Sequence, residues 1–285
     1  MAAEPRLAGA SFWKMSGGGN DFVVFDDRAR WFPTGRPAAV AALCARATGV
    51  GADAVLLLQE PSTADALFRM TYFNADGSEA PMCGNGALCI ARFARERGLA
   101  APGGDVVFET GAGLYRARLG GGGSPRVRLA MRDPGAIAPA LPAIQALGYA
   151  RAGFADTGTP HLVALVPDVA GVDVPGEGRR LREHEAFGPE GLNVDFVHVV
   201  DRRTLRLRTY ERGVEAETLS CGTGATAAAI LCFLWGLVEP PVRVRPPGGI
   251  DLEIGFQQTG PSAVGEVTLE GEARIAFSGE LPAAG

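Results

Sequence analysis

The chain has 285 residues, is 47% hydrophobic and 21% charged, and carries a net charge of −5 at pH 7. That length holds one large or two medium domains with core enough to fold unaided. The acidic balance excludes a general attraction to nucleic acid or to anionic membrane, so a small molecule or another subunit is the expected partner.

Taken in chain order, the sequence opens with Met1–Ala10, which lacks the cationic start and apolar run of a signal peptide; a cytoplasmic location is expected. A glycine turn in Lys14–Asn20 enters an alternating strand at Phe22–Phe25. Strands are expected at Ala54–Leu58, Phe68–Tyr72, Val106–Glu109 and Leu114–Leu119, with helices at Pro37–Ala47 and Gly86–Arg97. Gly120–Pro125 reads as a hinge. Beyond it, Val127–Met131, Leu162–Val166, Phe196–Val200, Leu205–Tyr210, Ile250–Ile254 and Ala263–Thr268 are strand-like, and Thr223–Leu237 is helical. The run Ala225–Val238 falls short of the roughly 20 residues that cross a bilayer.

Two segments are near-copies. Glu79–Ala87 and Glu217–Ala225 both read E-x-x-x-C-G-N/T-G-A, and their cysteines, Cys83 and Cys221, stand 138 residues apart. The glycine turn before Phe22 has a counterpart in Asp156–Pro160. Two α/β halves related by an internal repeat follow: residues 1–124, joined by a last strand from 274–285, and residues 125–273. Each cysteine runs into an apolar helical stretch, which makes it a thiol beside the exposed N–H groups of a helix N-terminus, an anion site.

Inverting a carbon that bears one C–H bond requires a base on one face and an acid on the other, and a thiolate opposite a thiol supplies both. A cysteine of pKa about 8.5 is only a few per cent thiolate near neutrality, and a helix terminus contributes about 0.3–1 kcal/mol, so neighbours must help one thiol ionise. Two thiolates would repel, and a bell-shaped pH profile is expected. Gly84, Gly86, Gly222 and Gly224 are expected to let backbone N–H groups approach a carboxylate, which becomes the enolate-like centre in the transition state. Cys44, Cys89 and Cys232 are expected to fill core. Five cysteines, an odd number in a chain of this size, argue against a disulfide framework, and the absence of C-x-x-C with only three histidines argues against a zinc or redox module.

The motifs G-G-G-N-D-F at 17–22, Y-F-N-A-D-G-S-E at 72–79, M-C-G-N-G at 82–86, G-L-N-V-D-F at 191–196, Y-E-R-G at 210–213 and E-T-L-S-C-G-T-G-A at 217–225 span nearly the whole chain. Together they resemble the diaminopimelate epimerases, cofactor-independent two-cysteine amino-acid racemases. The resemblance implies two pseudo-symmetric domains, each a curved, mostly antiparallel sheet wrapped on a central helix, with the active site in the cleft between them. It implies interconversion of L,L- and meso-diaminopimelate, in lysine and peptidoglycan precursor synthesis, without pyridoxal phosphate or metal, by an enzyme that forms a homodimer. By position, Cys83 and Cys221 are the acid/base pair, and the backbone at Gly84-Asn85 and Gly222-Thr223 takes the carboxylate at the reacting centre. Asn20, Asn74, Asn193 and Arg212 hold the substrate, Glu211 takes an ammonium group, and Glu211 and His161 tune the thiols.

The chain departs from many members at Thr159, where asparagine is common, at Pro81 and Leu88, and by one extra residue between Glu211 and Cys221. These leave a second reading, a racemase of the same architecture acting on another amino acid such as histidine or hydroxyproline. Retention of Asn74 with the Glu211-Arg212 pair favours a substrate with a second amino-acid head.

Overall fold

In the computed structural model, which describes residues 7–145 and 147–282, the glycines at 17–19 close a hairpin. Its strands are β1 (Ser11–Gly17) and β2 (Asn20–Asp26), and Gly18 and Gly19 turn the chain with φ of 58° and 100°, the left-handed pair that a two-residue hairpin takes. A Cβ on Gly18 would also overlap the Asn85 amide. α1 (Pro37–Cys44) leads to β3 (Ala54–Gln59), parallel to β2. β4 (Phe68–Asn74) returns antiparallel to β3, β5 (Glu79–Ala80) folds back on its end, and α2 (Gly84–Glu96) follows. β6 (Asp105–Thr110) runs parallel to β4 and β7 (Gly113–Leu119) antiparallel to β6. The expected hinge at Gly120–Pro125 is the connection from β7 to β8 (Arg126–Ala130), tied by the Gly120 N–H donating to the Arg126 carbonyl at 2.8 Å.

The chain divides into two units, Met1–Leu129 with Gly271–Gly285, and Ala130–Glu270. The second unit begins with β9 (Ile137–Ala138), α3 (Pro142–Gln145) and the hairpin of β10 (Ala152–Asp156) with β11 (Pro160–Leu165). α4 (Val174–Arg182) then crosses to β12 (Asn193–Asp201), parallel to β11. β13 (Thr204–Glu211), β14 (Ala216–Thr218), α5 (Gly222–Leu234), β15 (Val242–Arg245) and β16 (Leu252–Gly260) complete it, with β13 antiparallel to β12 and β14 and parallel to β15. These are the pairings of the first unit in the same order. β17 (Ala263–Glu280) is one long strand whose first part pairs with β16 and whose Ala273–Glu280 part pairs with β1.

The central strands are covered on both faces, which is why Ala54–Leu58 reads as a continuous apolar run instead of an alternating one. Val23, Phe25, Val55, Leu57 and Phe73 pack against Val40 and Leu43 of α1. Leu162, Val194, Phe196 and Tyr210 pack against Val174 and Leu181 of α4 in the second unit. The other face of each sheet receives α2, against β1 to β4 and β7, or α5, against β10 to β13, β15 and β16. α5 is buried from Gly224 to Cys232, the all-round apolar pattern of a central helix.

α4 has no counterpart among the sequence expectations, because its Val174-Pro175-Gly176-Glu177-Gly178 opening looks like a loop. The helix starts on Asp173, whose side chain accepts from the Gly176 N–H, with proline in the first turn where no N–H is missed. Gly178 is required by packing, since a Cβ there would run into the Tyr210 ring at 2.7 Å. α1 ends three residues short of the expected Ala47, where Ala45 turns to extended backbone. Cys44, Cys89 and Cys232 are buried free thiols, and burial pushes Cys44 up to about 11 and Cys89 and Cys232 upward as well.

Candidate functional site

Both motif cysteines are helix N-caps. Cys83, with φ −139° and ψ 122°, takes the Gly86 N–H on its sulfur at 3.5 Å, and Cys221, with φ −129° and ψ 113°, takes the Gly224 N–H at 3.4 Å. The sequence puts them there: a residue with a lone-pair side chain precedes Gly-Asn-Gly or Gly-Thr-Gly and then an uninterrupted helical run. The N–H groups of Gly84, Asn85, Gly222 and Thr223 lie in the first turns of the two helices, at the positive end of each helix dipole.

Strand register equates the two units residue by residue. Phe73 pairs with Glu79 and Val55 as Tyr210 pairs with Glu217 and Val194. Asn20 and Asn85 therefore match Thr159 and Thr223, Ala54 matches Asn193, Asn74 matches Glu211, and Phe22 and Leu56 match His161 and Asp195. Beneath one helix terminus the chain is apolar; beneath the other lies a buried histidine-aspartate pair.

In the first unit, Asn85 Nδ2 donates to Asn20 Oδ1 at 2.8 Å and to the Gly18 carbonyl at 3.4 Å. Asn20 Nδ2 donates to Asp53 Oδ2 at 3.0 Å, and Arg46 clamps Asp53 and Asp21 at 2.6 and 2.9 Å. Lys14 adds a second cation on Asp21 at 2.6 Å, and the Arg46 and Lys14 hydrogen bonds outweigh burial to hold the Asp21 carboxyl down at about 2. Asn20, Cys83, Gly84 and Asn85 are thus brought together. Asn74 lies at the end of β4, where its amide donates to Ser78 Oγ at 3.0 Å in the turn to β5.

In the second unit, His161 Nδ1 is 2.6 Å from Asp195 Oδ2, and Thr209 donates to Asp195 Oδ1 at 2.6 Å. Thr223 Oγ1 bridges His161 Nε2 at 2.9 Å and Cys221 Sγ at 3.3 Å. Asn193 Oδ1 accepts the Arg212 N–H at 2.8 Å, and the Arg212 guanidinium donates to the Gly191 carbonyl at 3.2 Å. Glu211 accepts from Thr218 at 2.7 Å, and the neighbouring Cys221 thiol favours its ionised form. Burial raises the Glu211 carboxyl, and burial followed by the charges of Glu211 and Asp195 pushes the Cys221 thiol well above the usual range. His161, Asn193, Glu211, Arg212, Cys221, Gly222 and Thr223 form one connected group.

Asp195, Thr209, Asp53 and Arg46 belong to these networks without having been singled out in the sequence. The signal was available for Asp195: one acid inside the otherwise apolar Val194–Val197 strand is costly unless it is paired. Gly86 and Gly224 have a reason to be small besides the approach to a carboxylate expected of them. The crowding comes from beneath, where a Cβ on Gly86 would sit 3.2 Å from a Leu56 methyl and one on Gly224 would overlap the Asp195 carboxylate and lie 3.3 Å from His161 Cε1. Gly224→Ala is accordingly expected to cost about 1–3 kcal/mol by overpacking, while Gly86→Ala stays near neutral because the leucine can yield and alanine favours a helix. Denaturant midpoints of the two variants check this; equal shifts would refute it.

The architecture, two copies of a sheet around a helix that begins on a cysteine, places the chain in a class of known folds. The Bacillus anthracis phenazine biosynthesis protein of the PhzF family matches with a TM-score of 0.71 at 15% identity, covering 95% of this chain and 98% of its own. A hydroxyproline epimerase from Agrobacterium vitis matches with a TM-score of 0.65 at 20% identity, over 95% and 92%. At such identities the likeness is one of fold. Sequence is more specific. The family profile for diaminopimelate epimerase matches residues 12–132 and 153–275. The diaminopimelate epimerases of Aquifex aeolicus and Gemmatimonas aurantiaca are 43% and 41% identical over 279 residues, 95% of this chain and 97% and 99% of theirs. The chain belongs to the diaminopimelate epimerase family.

Proposed function

We propose that the protein interconverts L,L- and meso-diaminopimelate, with Cys83 and Cys221 as its two proton carriers. The carrying observation is that each thiol caps a central helix in a matched context, so each stands where a helix N-terminus can hold the carboxylate beside the reacting carbon. Family membership supports the substrate. One sulfur takes the α-proton and the other delivers a proton to the opposite face, while N–H groups of Gly84-Asn85 and Gly222-Thr223 bind the charge that grows on the carboxylate in the transition state. Burial, followed by the charges of Glu211 and Asp195, favours the neutral thiol form of Cys221 in the substrate-free protein. Arg212, its fork only partly used by Gly191, suits the distant carboxylate. Glu211, held by Thr218 beside Cys221, serves as a tuner of that thiol. The mechanism needs neither pyridoxal phosphate nor metal, and the five free thiols suit a reducing cytoplasm.

In deuterated water, L,L-diaminopimelate incubated with the protein alone is expected to give meso product carrying deuterium at the inverted carbon. Neither exchange nor inversion of this substrate, with turnover of histidine or hydroxyproline instead, would sink the reading.

A further inference from the structure

Three polar groups crowd the Nε2 side of His161. Thr159 Oγ1 and Thr223 Oγ1 each lie 2.9 Å from it and Asn193 Nδ2 lies 3.3 Å away. The Asn193 amide is oriented by the Arg212 N–H on its oxygen, which turns its NH2 toward the imidazole. A ring nitrogen facing an amide donor presents its lone pair, so the His161 hydrogen sits on Nδ1 and points to Asp195.

Nε2 therefore offers one lone pair, which the Asn193 amide reaches only at 3.3 Å while also reaching Thr159 Oγ1 at 3.4 Å, and for which the two hydroxyls at 2.9 Å, themselves 3.1 Å apart, are the closer donors. Two arrangements satisfy both. When Cys221 is a thiol, Thr223 donates to Nε2, Thr159 donates to the Thr223 oxygen, and the S–H faces the Glu211 carboxylate. When Cys221 is a thiolate, Thr223 turns its hydrogen to the sulfur, 3.3 Å away, and Thr159 turns its own to Nε2. Rotation of two O–H bonds converts one arrangement to the other without moving a heavy atom.

We propose that Thr159 is a positioning residue for Cys221, its hydroxyl occupying the His161 Nε2 lone pair whenever the Thr223 hydroxyl turns to the sulfur. The proposal rests on Cys221 being an acid/base thiol. The titratable groups facing Cys221 are Glu211 from β13, Asp195 from β12 and His161 from β11. Both acids oppose the thiolate, so its formation depends on the donors it can gather, the Gly224 N–H and the Thr223 O–H. The matched pair in the first unit, Asn20 and Asn85, stands over Phe22 and has no imidazole to share.

Thr159→Val keeps the shape and removes the hydroxyl, and Thr159→Ser keeps the hydroxyl. Alkylation of the substrate-free protein by iodoacetamide across pH, followed for each cysteine by mass spectrometry, reads the thiolate directly. Thr159→Val is expected to slow Cys221 alkylation roughly threefold to tenfold at a given pH, the worth of one hydrogen bond, with Thr159→Ser within roughly twofold of wild type. Cys83 should not change. Superimposable Cys221 profiles, a serine variant that behaves like valine, or an equal change at Cys83 overturns the proposal. Should the valine variant unfold, Thr159→Ala makes the same comparison. No substrate enters, so a wild-type protein inert toward diaminopimelate would remove the proposed function and leave this result standing.

Discussion

Cys83→Ala and Cys221→Ala are each expected to lower turnover of diaminopimelate by roughly 10²–10⁴-fold, the range for a lost acid or base, and the double variant to fall little further. In the proposed mechanism neither carrier completes an inversion without the other, which makes the two losses non-additive. Each alanine also removes an N-cap acceptor, from the Gly86 or the Gly224 N–H, at a stability cost of about 0.5–2 kcal/mol. That cost is small enough to leave a folded protein, and a thermal melt beside the product assay separates the two effects. Near-normal turnover in either single variant would defeat the two-carrier mechanism.

Asp195→Ala is expected to cost about 1–3 kcal/mol for the buried His161 Nδ1–H that it leaves without a partner. The Thr209 hydroxyl loses its acceptor as well. The first unit suggests the repair: there the matched positions hold Leu56 and Phe22, so the double variant Asp195→Leu with His161→Phe replaces a buried polar pair by apolar side chains. It is expected to recover part of the stability lost in Asp195→Ala while remaining impaired in turnover. Urea unfolding of the three proteins tests this, and a double variant less stable than Asp195→Ala contradicts it.

That contrast marks how far the sequence could be read. The duplication, the two capped thiols and the apolar central strands were legible because they are local patterns: a nine-residue motif, a helical run, a stretch such as Ala54–Leu58. The α4 helix was hidden because Pro175, Gly176 and Gly178 serve a first turn and a close approach to Tyr210, both of which are facts of tertiary packing. β10 and β15 are short and flanked by Gly or Pro, and only their neighbours in the sheet define them. Among site residues, the motif members were visible, whereas Asp53, Arg46 and Asp195 each act in part through a partner 25 to 34 positions away. The asymmetry between the halves was invisible until register set Phe22 against His161 and Leu56 against Asp195.

β17 has a consequence for biogenesis. The first unit contains the strand pairing of β1 with Ala273–Glu280, so its sheet lacks a member until residues 273–280 have left the ribosome. The second unit has all its strands by about the same moment, although it is encoded later. Synthesis from the N-terminus therefore gives the earlier half no head start in completing itself, and a nascent β1 edge waits exposed to wrong partners for more than 250 residues of elongation. A truncated product ending before Ala273 lacks the strand that pairs with β1 in the first unit as well as the tail.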